Sequence, residues 1–266
     1  MVKIEKTSSK IYLLLLSLLA IGIVIFLSIN DFFSTNTIFE KHFITLDNFH
    51  QTLLSGNFFP KWASQFGNGY GYPLFIFRPP LIYWIQEIFK LYFINPLISS
   101  KILLTSSFIL SIILFFYFSS FLCEKRGAFV SSILFLTSPS MIDVVLCKKN
   151  FDEILSIFLF PLSLFFLTKL LLVNEAKDRE RFFFPLTFSS TLLAISNTAS
   201  LFSVLSLFVW TAIIVSVKKE SIKNRNPFFA IISLITSIAV SSFYWLPALV
   251  EKKFIKDGNI IVSSML

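Results

Sequence analysis

Charged residues are scarce in this chain, at only 14% of its 266 residues. A soluble domain carries about 25%, so the composition excludes the soluble globular class. Cysteine and histidine are also rare, with two of each. Cys123 and Cys147 stand at opposite ends of one apolar segment, where a disulfide does not reach and no metal cluster forms. The sequence therefore argues against redox and metal–thiolate chemistry.

Apolar residues dominate what is present, at 55% of the chain and with 35 Phe. Runs of about 20 apolar residues are long enough to cross a hydrocarbon core of roughly 30 Å as helices. We therefore predict an all-α, polytopic transmembrane bundle with a long outer loop that carries short interfacial helices. The seven predicted spans are 11–29, 99–122, 127–146, 154–173, 182–198, 200–217 and 227–249.

The segment 73–95 is apolar but contains Arg78, Gln86, Glu87 and Lys90, so hydropathy alone does not show whether it crosses the membrane. The distribution of basic residues distinguishes the two arrangements. If it does not cross, 13 of the 23 basic residues lie on the cytoplasmic side, and if it crosses, 10 do. The positive-inside rule favours the first arrangement. It gives a cytoplasmic N-terminus and an active face outside the bacterial plasma membrane. The formal charge of +8 thus reflects membrane orientation, and no nucleic-acid partner is predicted.

The whole chain, 1–266, is predicted to be a single integral membrane domain, with 30–95 as outer loop and interfacial helices. The first apolar run exceeds the roughly 7 to 15 residues of a signal-peptide core, which predicts an uncleaved first span. After residue 250 a polar stretch leads into 260–266, which is too short to span. We expect the chain to be an N-terminal fragment of a longer protein.

The long polar loop, 31–72, holds the first candidate site. An amphipathic helix over 46–54 is predicted to place Asp47 and His50 together on one face. The opposite, apolar face is predicted to consist of Leu46, Phe49, Leu53 and Leu54. The glycines of 67–71 predict a tight turn, and because no Lys-Ser/Thr follows them, they do not form a P-loop.

Arg78 directly precedes a proline pair that can open a helix. At the membrane interface its planar guanidinium can bind a phosphate with two hydrogen bonds. The alternative is that Arg78 extends to lipid headgroups while Tyr83 and Trp84 belong to the aromatic belt of the interface.

Three stretches carry a family resemblance: SGNFFPKW, GYGYPLFIF and RPPLIYW. They resemble the GT-C superfamily of membrane glycosyltransferases, which use polyprenyl-phosphate sugars. Within it the chain most resembles bacterial membrane proteins labelled 6-pyruvoyl-tetrahydropterin synthase-related. Glu153 and the Pro-Leu pair at 161–162 match a further pattern, in which Lys148 stands where Arg is usual. The soluble pterin synthase resembles a zinc enzyme with three histidine ligands. The two histidines of this chain are too few for such a site, so the sequence does not support zinc chemistry of that kind.

The resemblance implies roles for individual residues. Asp47 is the candidate base, with His50 orienting it or the acceptor. Arg78 is the candidate phosphate clamp and Lys61 a second cation. The remaining residues that the resemblance assigns to donor binding are Tyr83, Trp84 and Lys148. Glu153 is either a further catalytic carboxylate or the partner of Lys148 or Lys149 in an ion pair.

These expectations together predict transfer of a sugar from a polyprenyl-phosphate donor to an extracytoplasmic acceptor. The partners are membrane lipid and the polyprenyl-phosphate sugar; no protein partner is identified. No cofactor is assigned, and a divalent metal requirement stays open. Two alternatives stay open as well: a transporter or flippase for a lipid-linked substrate, and an inactive membrane scaffold subunit. The transporter ranks lower because the predicted spans are almost free of charge in their interiors.

Overall fold

A computed structural model describes residues 2–29, 37–67, 69–92, 95–142, 154–173, 175–196, 200–217 and 225–251. Throughout these ranges the regular structure is helical, and the sole β interaction is an isolated bridge between Ala63 and Tyr72. The prediction of an all-α protein is confirmed.

The helices follow one another along the chain as α1 (Val2–Ile29), α2 (Thr37–Leu54), α3 (Leu74–Phe77), α4 (Pro80–Leu91), α5 (Pro96–Ser119), α6 (Lys125–Leu136), α7 (Pro139–Ile142), α8 (Ser156–Leu172), α9 (Ala176–Ala194), α10 (Ser200–Val217) and α11 (Asn226–Glu251). The long helices form a bundle in which α5 packs against α1, α6 and α8, while α9 packs against α8 and α11.

Side-chain contacts fix the direction of the bundle helices. Tyr12, near the start of α1, contacts the rings of Phe116 at the end of α5 and Phe129 at the start of α6. Asn226, which begins α11, donates its amide to the backbone oxygens of Leu171 and Val173 at the end of α8. α1 and α11 therefore run antiparallel to α5 and α8, respectively. By contrast, α9 and α11 run parallel, since Arg179 contacts Phe229 and Thr187 contacts Ser233 one to two turns further along both helices.

One end of the bundle, which we call the basic end, is marked by two cations on aromatic rings. The Lys169 ammonium, in the last turn of α8, lies 5.1 Å from the ring centre of Phe121. The Arg179 guanidinium, in the first turn of α9, lies 4.9 Å from that of Phe229. An aromatic ring therefore stabilises each cation where it is removed from water.

Buried serines are frequent between the helices of the bundle, beside a core of large apolar residues such as Phe108, Ile112 and Phe116. Small residues at the contacts together with large apolar residues on the outside are typical of helices that associate in lipid. The buried serines of the bundle include Ser107, Ser111, Ser132, Ser163, Ser189, Ser190, Ser233, Ser237 and Ser241. Exposed apolar residues of the same helices include Leu110, Val130, Leu134, Phe184, Phe188, Phe202, Val209, Phe228, Ile235 and Phe243.

Two of the described helices, α5 and α11, are long and apolar enough to cross a membrane, with 24 and 26 residues. Shorter apolar helices cover Ile11–Ile23, Ser156–Leu172 and Phe202–Val217. The predicted count of seven spans is therefore not confirmed.

The predicted span 127–146 is not one helix. It is interrupted after α6, which ends at Leu136, and the four-residue α7 begins at Pro139. Proline lacks an amide hydrogen and disfavours helical backbone in the residue before it, so the helix stops there. Residues 143–146 lie outside the described part of the chain.

A smaller unit, which we call the cap, consists of α2, the loop 55–73, α3 and α4. Gln86 of α4 donates its side-chain amide to Ser100 in the first turn of α5, so the cap lies at the end of the bundle opposite the basic end. The 12 residues of α4 rise about 18 Å, half of the rise of α5. The segment 73–95 therefore does not run the length of the bundle, as the non-crossing arrangement requires.

The helix predicted over 46–54 proves to be the second half of a longer one, because α2 begins at Thr37. Leu46 and Phe49 are buried as predicted, and Asp47 is exposed on the other face. Leu54 was predicted on the apolar face but is 75% exposed, since the helix ends at that residue.

Candidate functional site

The loop 55–73 is held against α2 by a buried amide. Asn48 donates to the side-chain oxygen of Gln65 at 3.1 Å and accepts from the backbone nitrogen of Gln65 at 3.2 Å. Ala63 and Tyr72 exchange two backbone hydrogen bonds, of 2.7 and 3.0 Å, which close the loop. Partial burial at this bridge raises the pKa of the Tyr72 hydroxyl. The loop is thus a positioned element, and it carries Lys61.

The predicted glycine turn is confirmed. Gly67, Gly69 and Gly71 all have positive φ angles, of 63°, 87° and 81°. At Gly71 there is a second constraint, because a β-carbon would lie 1.9 Å from the indole nitrogen of Trp62. Only glycine satisfies both the backbone angle and the close approach at this position.

Arg78 lies in the break between two helices. Its backbone is extended, with φ −100° and ψ 139°, and Pro80 occupies the first turn of α4. Proline is favoured there because the first helical position needs no amide hydrogen. The proline pair therefore starts α4 directly after Arg78, as predicted.

Arg78 and Lys61 line one pocket, which is open to solvent and has a cavity volume of about 70 Å³. The pocket lies between the cap and the last third of α11. Its lining residues are Phe49, Phe59, Pro60, Lys61, Phe75, Ile76, Arg78, Pro80, Trp84, Phe243, Tyr244 and Pro247. Both charges in this lining are positive, and no acidic residue is in it. The pocket therefore combines an anion-binding character with an aromatic and aliphatic wall.

Tyr83 does not line the pocket. It is fully buried behind the wall, where its ring stacks on His42 and Phe49 with centroids 5.7 and 5.4 Å away. Phe49 in turn packs edge-on against Trp84. Tyr83 thus supports the wall, and Trp84 is part of it.

A buried chain of hydrogen bonds ties the cap to the bundle. The side chain of Gln86 pairs with His42 Nε2 at 3.2 Å and donates to the Ser100 hydroxyl at 3.0 Å. The Ser100 hydroxyl donates to the backbone oxygen of Pro96. Since these groups come from α2, α4 and α5, the hydrogen bonds fix the three helices relative to one another.

Beside the pocket, α2 and α4 share what we call the polar face: Asp47, His50 and Gln51 of α2 with Glu87 and Lys90 of α4. His50 Nδ1 lies 2.8 Å from Glu87 Oε2. Asp47 is 56% exposed, accepts from the Gln51 side-chain amide at 2.8 Å and lies 3.9 Å from the Lys90 ammonium. The two predicted catalytic side chains, Asp47 and His50, therefore lie outside the pocket lining, in an ion-pair network next to it.

Glu87 was not among the predicted site residues. The sequence could have indicated it, because Glu87 is an acidic residue within an apolar segment and lies one helical turn after Trp84. Of the other predicted residues, Glu153 and Lys148 lie outside the described part of the chain. Within the described residues no group of three His, Cys, Asp or Glu side chains is placed to hold a metal ion.

A family model described as 6-pyruvoyl-tetrahydropterin synthase related domain, membrane protein, matches residues 75–264. The chain belongs to this family. The match includes α3 to α11, and with them Arg78, Trp84 and the part of the pocket formed by α11. No curated protein and no solved structure matches the chain. The family match shows that the chain is a membrane protein, and it does not assign an activity to it.

Proposed function

We propose that this membrane protein is a glycosyltransferase of the GT-C type. It transfers a sugar from a polyprenyl-phosphate donor to a hydroxyl acceptor on the extracytoplasmic side. The observation that carries the proposal is the pocket in which Lys61 and Arg78 face an otherwise apolar and aromatic lining.

The chemistry of the donor suits this pocket. When the bond between sugar and phosphate breaks, negative charge develops on the leaving phosphate, and fixed cations stabilise that charge. Arginine binds phosphate through its planar fork, and lysine adds a second charge. The isoprenoid chain needs an apolar path from the bilayer, which Phe243 and Pro247 of α11 support.

The acceptor side of the reaction needs a group that takes the hydroxyl proton. The polar face supplies candidates near the pocket, since Glu87 lies one helical turn after the pocket residue Trp84 and pairs with His50. Glu153 and Lys148 stay predictions for further roles, as does a divalent metal ion. The cap is proposed to face the outside, because the charge count puts the loop 30–72 there.

The proposal is tested on the purified protein in lipid nanodiscs. Polyprenyl-phosphate hexoses are supplied with a hydroxyl acceptor, and released polyprenyl phosphate is measured. We expect acceptor-dependent release by the wild type and at least a tenfold loss in Arg78→Ala. Arg126→Ala, an exposed arginine at the basic end, is the matched control and should retain activity. Failure of the wild type to release polyprenyl phosphate from any donor in the panel would refute the proposal.

A further inference from the structure

His50 and Glu87 form the closest pairing of titratable groups in the described part of the cap, at 2.8 Å. The His50 side chain is 27% exposed and that of Glu87 is 12% exposed. The second oxygen of Glu87, Oε1, is buried and has no hydrogen-bond partner among the described residues. A carboxylate in this position depends on the imidazole for its stabilisation.

The pairing determines which ring nitrogen of His50 is available. An ionised carboxylate only accepts hydrogen bonds, so the proton of the neutral imidazole lies on Nδ1, between the two side chains. Nε2 then keeps its lone pair. A carboxylate that holds an imidazole in this tautomer also stabilises the imidazolium that forms when Nε2 takes a proton.

The position of the pair relates it to the proposed reaction. His50 directly follows Phe49, and Glu87 lies one helical turn after Trp84. Phe49 and Trp84 both line the pocket and pack edge-to-face, with ring centres 5.6 Å apart. The pair therefore lies next to two residues of the pocket lining.

Asp47 has a different environment on the same face. Its carboxylate is mostly in water, already accepts from Gln51 and lies near the Lys90 ammonium. The structure places no comparable orienting partner on Asp47, whose polar contacts in the described chain are with these exposed side chains. The geometry thus favours the imidazole over this carboxylate as the proton acceptor.

We propose that His50 is the general base of the transfer and that Glu87 is its positioning residue, an inference that rests on the proposed function. His50 Nε2 takes the proton of the acceptor hydroxyl as the hydroxyl oxygen bonds to the anomeric carbon. The bond between that carbon and the phosphate oxygen breaks, and its electron pair leaves with the polyprenyl phosphate. The Glu87 carboxylate stabilises the imidazolium until the imidazolium releases the proton to water.

Two variants with a matched control test these roles in the nanodisc assay. His50→Gln should lower kcat by about 100-fold or more, and Glu87→Gln by about 10- to 100-fold, with the KM for the donor within about twofold of wild type. Glu124→Gln, an exposed glutamate at the basic end, should leave both constants unchanged. Imidazole added to His50→Ala should restore part of the turnover, which a purely structural role would not allow.

A second readout does not depend on activity. The chain has only two histidines, so comparing nitrogen NMR spectra of the wild type and His50→Gln assigns the His50 ring. We expect the Nδ1-protonated form, and its loss in Glu87→Ala.

An Nε2-protonated ring in the wild type, or wild-type kcat in His50→Gln, would overturn the inference. A larger loss of kcat in Asp47→Asn than in His50→Gln would do so as well. Wild-type protein that transfers no sugar would overturn the proposed function together with the inference, whereas the other outcomes affect only the inference.

Discussion

Buried polar groups are satisfied differently in the bundle and in the cap. In the bundle, the hydroxyls of Ser111, Ser132 and Ser237 each donate to a carbonyl three or four residues earlier in their own helix. In the cap, Gln86 joins three helices, and the His50 and Glu87 pair joins two. These three serines are therefore satisfied within one helix, while the polar groups of the cap named here hold separate elements together.

The difference follows from what each region has to do. A serine that bonds to its own helix leaves no unsatisfied group when the helix meets lipid, and its small side chain allows close packing. A bond between elements also fixes their relative position, which a binding site requires. The bundle also contains cross-helix bonds, such as that from the Trp210 indole to Thr168 and that between Thr187 and Ser233.

The largest expected effect concerns the side of the membrane on which each region lies. An impermeant maleimide should label Ser64→Cys, in the cap loop, in intact cells when the native cysteines are replaced by serine. The native Cys123, exposed at the basic end, should react only after permeabilisation in a Cys147→Ser background. Labelling of Cys123 but not of position 64 would reverse the orientation predicted from the basic residues.

Substitution of Gln86 should be the most destabilising of the polar substitutions compared here. Gln86→Leu removes two buried hydrogen bonds, so the side chains on α2 and α5 that bond to Gln86 lose this partner. The free energy of unfolding should fall by about 2 to 4 kcal/mol. Thermal unfolding in detergent measures the loss. Gln51→Leu is the control, because its hydrogen bonds are exposed. Equal shifts in the two variants would show that the buried chain does not hold the cap to the bundle.

The glycine turn should show a smaller and position-specific effect. Gly71→Ala is expected to cost about 1 to 3 kcal/mol because the residue has both positive φ and no space beside Trp62. Gly69→Ala has the same kind of backbone strain but open space, so it should cost about 1 kcal/mol. Thermal unfolding of both variants gives the comparison, and a greater loss in Gly69→Ala would contradict it.

The smallest effect is expected in the bundle. Ser237→Ala removes a hydroxyl that bonds only within α11, and the carbonyl it contacts belongs to the helix ladder. We expect a change below about 0.5 kcal/mol in thermal unfolding. A loss as large as that of Gln86→Leu would remove the distinction between the two regions.

Much of this architecture is readable from sequence because lipid imposes strong local rules. Apolar runs predicted α5 and α11 closely, and the proline pair predicted the start of α4. The break after α6 was missed although Pro139 signals it, because hydrophobicity continues across the break. Arg78 and Lys61 were predicted together as phosphate-binding residues, and both line the pocket. Phe243 of α11 also lines it but is far from them along the chain, so no local pattern could have placed it there. The partner of His50 was missed for the same reason.

Binding of undecaprenyl phosphate to the purified protein tests the central claim, that Lys61 and Arg78 form a site for a lipid phosphate. Native mass spectrometry compares the wild type with Lys61→Ala, Arg78→Ala and the double variant, with Arg126→Ala as control. A charge-assisted hydrogen bond contributes about 1.5 to 3 kcal/mol, so Arg78→Ala should weaken binding by about 10- to 150-fold. Binding of undecaprenol, which lacks the phosphate, should be weak and equal in all variants. Wild-type affinity for undecaprenyl phosphate in the double variant would contradict the account.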